Sequence, residues 1–154
     1  MQDRLWRWAY RLAFRIARLW WWLCRPNHHG TAVAVWQEGR VLVLQQSYRP
    51  NPAWPGGGIR RGEDAREAAR RELAEEVGLH VEADELHLAC AVVVDWDFGH
   101  DHVRVFELRL GGEPRITIDN REIVAAHFVD PAALLVREDL PPFIRAYLEG
   151  ARGA

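Results

Sequence analysis

The stretch from Gly57 to Leu79, GGIRRGEDAREAARRELAEEVGL, constrains this chain more than any other. Gly56, Gly57 and Gly58 read as a turn leading to Glu63, and an amphipathic helix follows. Asp64 ahead of the periodic stretch, with Glu67 three residues on, predicts a capping box, and Gly78 supplies the left-handed residue that ends the helix. The helix is therefore expected over about 65 to 77.

On such a helix Glu72, Glu75 and Glu76 share one arc of roughly 100°. Arg71 is spaced to pair with Glu67 and with Glu75, whereas Glu72 and Glu76 are like charges four apart, which costs about a few tenths of a kcal/mol. Mg²⁺ is held by few carboxylates together with substrate phosphates, so clustered glutamates beside a glycine-rich loop suit a metal–diphosphate site. An isolated E-x-x-E-E is equally the composition of a solvated acidic helix face.

The run does not stand alone. Gly57, Glu63, Arg71, Glu72, Leu73, Glu75, Glu76, Gly78 and Leu79 fill every fixed position of G-x5-E-x7-R-E-U-x-E-E-x-G-U, where U is bulky and aliphatic. This resembles the signature of the Nudix hydrolases. The resemblance implies an α/β/α sandwich that hydrolyses a nucleoside diphosphate linked to another group, using Mg²⁺ or Mn²⁺. Position by position, it implies Glu72, Glu75, Glu76 and the Gly56 carbonyl as metal ligands, with Glu75 and Glu76 catalytic. Glu63 and Arg71 would form a salt bridge that holds the loop.

Residues 3 to 24, DRLWRWAYRLAFRIARLWWWLC, are the second distinctive stretch. Arg4, Arg7, Arg11, Arg15 and Arg18 lie within about 80° of a helix circumference, and Leu5, Leu12, Ile16, Leu19 and Leu23 line the other side among tryptophans. A basic stripe beside a Trp-rich apolar arc describes a helix lying in a membrane interface. It is too interrupted to span, since Leu19 to Cys24 is its longest apolar run. Two other uses are open: packing on the catalytic domain or a second copy as a homodimer, and a cleavable organelle-targeting peptide. Arg25 to Gly30 reads as a linker, which divides the chain into a helix over 1–26 and a domain over 27–154.

With 154 residues, the chain suits a single globular domain. Its formal charge of −2 hides a basic N-terminus and an acidic remainder, and every Lys-or-Arg position is arginine. Cys24 and Cys90 are isolated, which fits a reducing compartment and packing thiols. The expected location is cytoplasmic, peripheral at the inner membrane face if the helix binds lipid. A nucleoside diphosphate-linked small molecule is the expected partner, and no nucleic acid is expected.

Residues 31–36 and 41–46 read as a β-hairpin around Glu38-Gly39, and 47–55 as a Pro-rich loop. Trp54 stands where the Nudix pattern usually has leucine or phenylalanine; it could stack on a nucleobase or cover the sheet. Arg49 could reach a substrate phosphate. Strands are expected over 86–96 and 103–110, the latter as a one-sided antiparallel edge, with His100-Asp101-His102 as a polar hairpin tip. Gly111 to Pro114 reads as a turn, and residues 131–136 and 142–149 as short helices with Pro131 and Pro142 in first-turn positions. Glu122 precedes a strand over 123–129, similar to the Nudix pattern in which a glutamate outside the box adds a metal ligand or general base. Asp119, Glu107 and His100 are the alternates. The expected fold is α+β, a Nudix-like α/β/α sandwich with a mixed sheet, preceded by the N-terminal amphipathic helix. The expected function is metal-assisted cleavage of a diphosphate linkage; the alternative is a non-catalytic nucleotide- or partner-binding module.

Overall fold

The structure is a computed structural model that describes residues 2–24, 27–96, 99–112 and 114–151. Helix α1 (Gln2–Cys24) comes first, followed by strands β1 (Asn27–Gln37) and β2 (Arg40–Gln46). Two short strands, β3 (Pro52–Ala53) and β4 (Gly56–Gly58), lead into helix α2 (Ala65–Val77). A 3-10 turn over Ala83–Glu85 precedes β5 (His87–Trp96), β6 (Gly99–Arg109) and β7 (Ile123–Val129). Helices α3 (Pro131–Leu135) and α4 (Pro142–Ala151) close the chain.

The β1–β2 turn places Glu38 and Gly39 at φ 47° and 76°, the double left-handed conformation that matches the twist of a tight hairpin. Beyond that turn β1 and β2 splay. β1 takes β6 as a parallel neighbour and β4 as an antiparallel one, while β2 pairs antiparallel with β3 and β7. The mixed sheet runs β3-β2-β1-β6-β5, with β4 and β7 attached to β1 and β2.

Five consecutive residues of β1, Thr31–Val35, are buried because this central strand is covered on both faces. Val33 and Val35 point into one core with Leu42, Leu44, Leu73, Val77 and Phe106, which seats α2. Ala32 and Ala34 point into the other with Trp54, Leu134, Ile144 and Leu148, which seats α3 and α4. The result is the α/β/α layering expected from the sequence.

Several expectations are corrected. β6 is an inner strand between β1 and β5, not an edge, so Val105 and Phe106 are both buried on opposite faces. Residues 27–30 are strand rather than linker: Asn27, His28 and His29 pair in parallel with His100, Asp101 and His102, and the His29 and His102 rings stack at 4.7 Å. The 100–102 cluster is thus sheet, not a hairpin tip. Gly56–Gly58 is a strand as well, because glycine lets β4 lie flat on β1. Residues 25–26 of the expected linker, 97–98 between the two expected strands and Glu113 of the expected turn lie outside the described residues, as does the Cys24 side chain.

α1 packs one side on the domain. Arg7 Nε donates to the Asn120 carbonyl at 2.8 Å and Arg11 Nε to the Ser47 carbonyl at 2.9 Å. Tyr10 and Phe14 stack on Tyr48 at 6.2 and 5.0 Å, and Asp3 meets Arg121 at 3.2 Å. Docking on its own domain is therefore part of what this helix does. No described helix is long and apolar enough to cross a membrane.

Candidate active site

α2 supplies the acidic face. Asp64 caps it by accepting the Arg66 amide at 2.8 Å, and Gly78 ends it at φ 68°. The capping box with Glu67 does not form, because Glu67 turns to Arg70 at 3.2 Å instead of to the helix start or to Arg71. Arg71 is drawn elsewhere. Its Nε donates to Glu63 Oε1 at 2.9 Å and its Nη2 to the Gly58 carbonyl at 3.1 Å, while Nη1 contacts Glu72 and lies 3.5 Å from Glu75. One guanidinium thus ties the loop to three carboxylates. The Arg71 hydrogen bond, joined by the Arg60 amide, pushes Glu63 down to about 2.

The three box acids differ. Glu75 is half exposed, 54%, and meets only arginines, whereas Glu72 is 14% exposed beneath Arg71. Glu76 accepts the Gly56 amide at 2.9 Å, and burial together with the charges of Glu72, Glu122 and Glu75 pushes it up to about 8. Glu122 is brought to the same region from the start of β7. Its Oε1 accepts the Tyr48 hydroxyl at 2.9 Å and its carbonyl accepts the Ser47 amide at 2.7 Å. Burial raises the Glu122 carboxyl against the lowering effect of Tyr48, with Asp119 and Glu72 adding to the rise.

Among the described residues no three His, Cys, Asp or Glu side chains stand ready-placed to hold an ion. The reason is local: Glu76 is turned to Gly56, Glu72 to Arg71 and Glu122 to Tyr48. The donor set nevertheless fits a hard divalent cation. Carboxylates from α2 and from the loop just before β7 raise one another's proton affinity, and a dication relieves that repulsion.

Gly56, just before the box, and Gly57, its first position, have separate jobs. A Cβ on Gly56 would sit 2.2 Å from the Thr31 carbonyl oxygen and 2.8 Å from Ala32 Cα, so the backbone of β1 forbids it. A Cβ on Gly57 would instead strike the Glu72 carboxylate at 2.5 Å. Gly56→Ala should therefore lower stability by about 3 kcal/mol in a denaturant melt. Gly57→Ala should leave the melt nearly unchanged and lower kcat/KM by roughly tenfold by displacing Glu72.

The remaining candidates separate clearly. Trp54 is 3% exposed and packs edge-on against Phe143 and Tyr147, which places its ring against the sheet. Arg49 lies over the Phe14 ring at 4.5 Å and lines a cleft of about 440 Å³ with Arg7, Arg11, Gln45 and Tyr48. Asp119 spends its carboxylate on the Arg121, Glu122 and Ile123 amides and so shapes the loop that presents Glu122. Glu107 pairs with Arg109, and His100 with Asp95. Sequence reasoning missed Tyr48, an aromatic in a Pro-rich loop whose partner is 74 residues away.

The sequence profile of the NUDIX domain matches residues 26–149. The chain is 32% identical over 143 residues to a protein named RNA pyrophosphohydrolase from Dinoroseobacter shibae, covering 80% of this chain and 88% of that one. In structure it resembles the MutT protein of Methanosarcina mazei (TM-score 0.72, 20% identity, 84% of this chain and 96% of that one). It also resembles the dihydroneopterin triphosphate pyrophosphohydrolase of E. coli (TM-score 0.66, 26% identity, 79% and 92%).

Proposed function

The chain belongs to the Nudix hydrolase family, and from that premise we propose that it cleaves a diphosphate linkage in a nucleoside diphosphate derivative, with Mg²⁺ or Mn²⁺ as cofactor. The observation that carries this reading is the shared region of Glu72, Glu76 and Glu122, where burial and mutual repulsion push Glu76 up to about 8. Glu72, Glu75, Glu76 and the Gly56 carbonyl would hold the ion. Bound there, it supplies charge neutralisation for phosphate oxygens and makes water more acidic.

The chain's own residues do the rest. Arg71 ties the glycine loop to the helix that carries Glu72, Glu75 and Glu76, which holds the ligand-bearing backbone in one arrangement before substrate arrives. Glu122, oriented by Tyr48, accepts the proton of the attacking water. Arg49, at the cleft beside Tyr48, binds a substrate phosphate. Phosphoryl transfer needs little more than such positioning and charge stabilisation.

The name of the Dinoroseobacter relative weighs against the expectation that no nucleic acid is a partner, so the substrate class extends to phosphorylated RNA 5′ ends. No observation favours the non-catalytic alternative. The test is release of phosphate or pyrophosphate, with Mg²⁺ and with Mn²⁺, from nucleotide sugars, ADP-ribose, dinucleotides, oxidised nucleoside triphosphates and 5′-triphosphorylated RNA. Turnover of at least one class that EDTA abolishes is expected; binding of a nucleotide without product from any class would sink the enzymatic reading.

A further inference from the structure

α1 has two faces, and among the described residues one of them packs on the domain. Asp3, Arg7, Tyr10, Arg11 and Phe14 are committed to the domain. On the opposite side Leu5, Trp8, Leu12, Ile16, Leu19 and Leu23 form an unbroken arc about 80° wide. Each is between 45% and 70% exposed, and Trp20 and Trp22 extend the arc at 52% and 55%. Arg4 and Arg15 stand exposed along one border, without an acidic partner among the described residues. The helix's single acid, Asp3, is held by Arg121 at 3.2 Å.

We infer that this outward face docks on an anionic lipid bilayer, with α1 lying in the interfacial plane and the domain on its aqueous side. Apolar burial supplies attraction, at about 25 cal/mol per Å² removed from water. Indoles favour the headgroup level, and the border arginines are drawn to an anionic surface. A second copy fits less well. Twenty-three residues make a helix about 35 Å long and roughly 10 Å wide. A face-to-face pair would then cover about 700 Å² in total, short of the ~1,200 Å² of a stable specific interface. Such a pair would also offer no carboxylate to the border arginines.

Docking has a geometric result. α1's inward side touches the two loops that carry Tyr48 and Glu122, so a bound protein would hold them about one helix diameter, roughly 10 Å, from the lipid.

The test uses the full chain, sedimented with phosphatidylcholine vesicles and with vesicles containing phosphatidylglycerol, at low and high salt, alongside its mass by analytical ultracentrifugation. Two double variants accompany it: Leu12→Glu with Ile16→Glu, and Arg4→Gln with Arg15→Gln, which spares the apolar arc in case the first pair disturbs folding. Wild type is expected to sediment with anionic vesicles and to be released by salt. The Glu pair should bind at least about tenfold more weakly, and the Gln pair should lose the preference for anionic over neutral vesicles. Wild type remaining in the supernatant with anionic vesicles at low salt overturns the inference, as does unchanged binding by both variants. A dimer that the Glu pair dissolves, with no vesicle binding, assigns the face to a second copy instead. Hydrolase activity does not enter these readouts, so failure here leaves the proposed reaction standing.

Discussion

Glu76→Gln is expected to lower turnover about a thousandfold while the protein stays folded. The substitution keeps the size of the side chain and a carbonyl that can still accept the Gly56 amide. On the proposed reading it removes one charged ligand, in a reaction where cation stabilisation of phosphate charge is worth several kcal/mol, or roughly 10³ in rate. Stability should change in the opposite sense. Because the folded protein pushes Glu76 up to about 8 from 4.5, its stabilising contribution without metal belongs to the protonated form. That contribution is complete below about pH 4.5 and disappears as pH rises through about 8. Metal-free wild type should thus lose melting temperature over this window, and Glu76→Gln should flatten the decline. Added Mg²⁺ should restore wild type most at the alkaline end and do little for the variant. Near-wild-type turnover, or an Mg²⁺ shift as large as that of wild type, would remove Glu76 from the ligand set.

Glu122→Gln should lower kcat by about 10²- to 10⁴-fold, the usual contribution of a general base, with metal affinity changed much less. The acidic limb of the pH–rate profile should vanish with it. Tyr48→Phe adds a sign that a purely structural role would not produce. The Tyr48 hydroxyl favours the ionised Glu122 carboxylate, so its removal should move the acidic limb to higher pH at modest cost in the plateau. A limb that stays put in both variants would pass the base to one of the box glutamates.

The parts of this molecule that could be read from the chain are those whose cause is local. Asp64 and Gly78 bound α2 at 65–77 because a cap and a left-handed residue act on their own few neighbours. The same holds for the Glu38-Gly39 turn and for Pro131 at the start of α3. What escaped was decided across the sheet. Residues 27–30 and 99–102 look like loops, and they become strand through partners distant in sequence: 27–29 pair in parallel with 100–102, and 99–102 pair antiparallel with 93–96. β4 has no side chains to show a pattern, so its partner β1 defines it. At the candidate site the shared face of the box acids was legible from spacing. The link between Tyr48 and Glu122 was not, since no periodicity joins positions 74 apart.

Arg71 makes its partners epistatic to one another. Its guanidinium serves Glu63, Glu72, Glu75 and the Gly58 carbonyl together, so these positions do not mutate independently. Once Arg71 is gone, a second change at Glu63 finds its interaction already lost, and the double variant should cost clearly less than the sum of the singles. Lysine is no substitute, because a point charge cannot serve several acceptors with a planar fork. A lineage drifting through sequence space can therefore leave this arrangement only by several coordinated steps, each of which passes through a damaged intermediate.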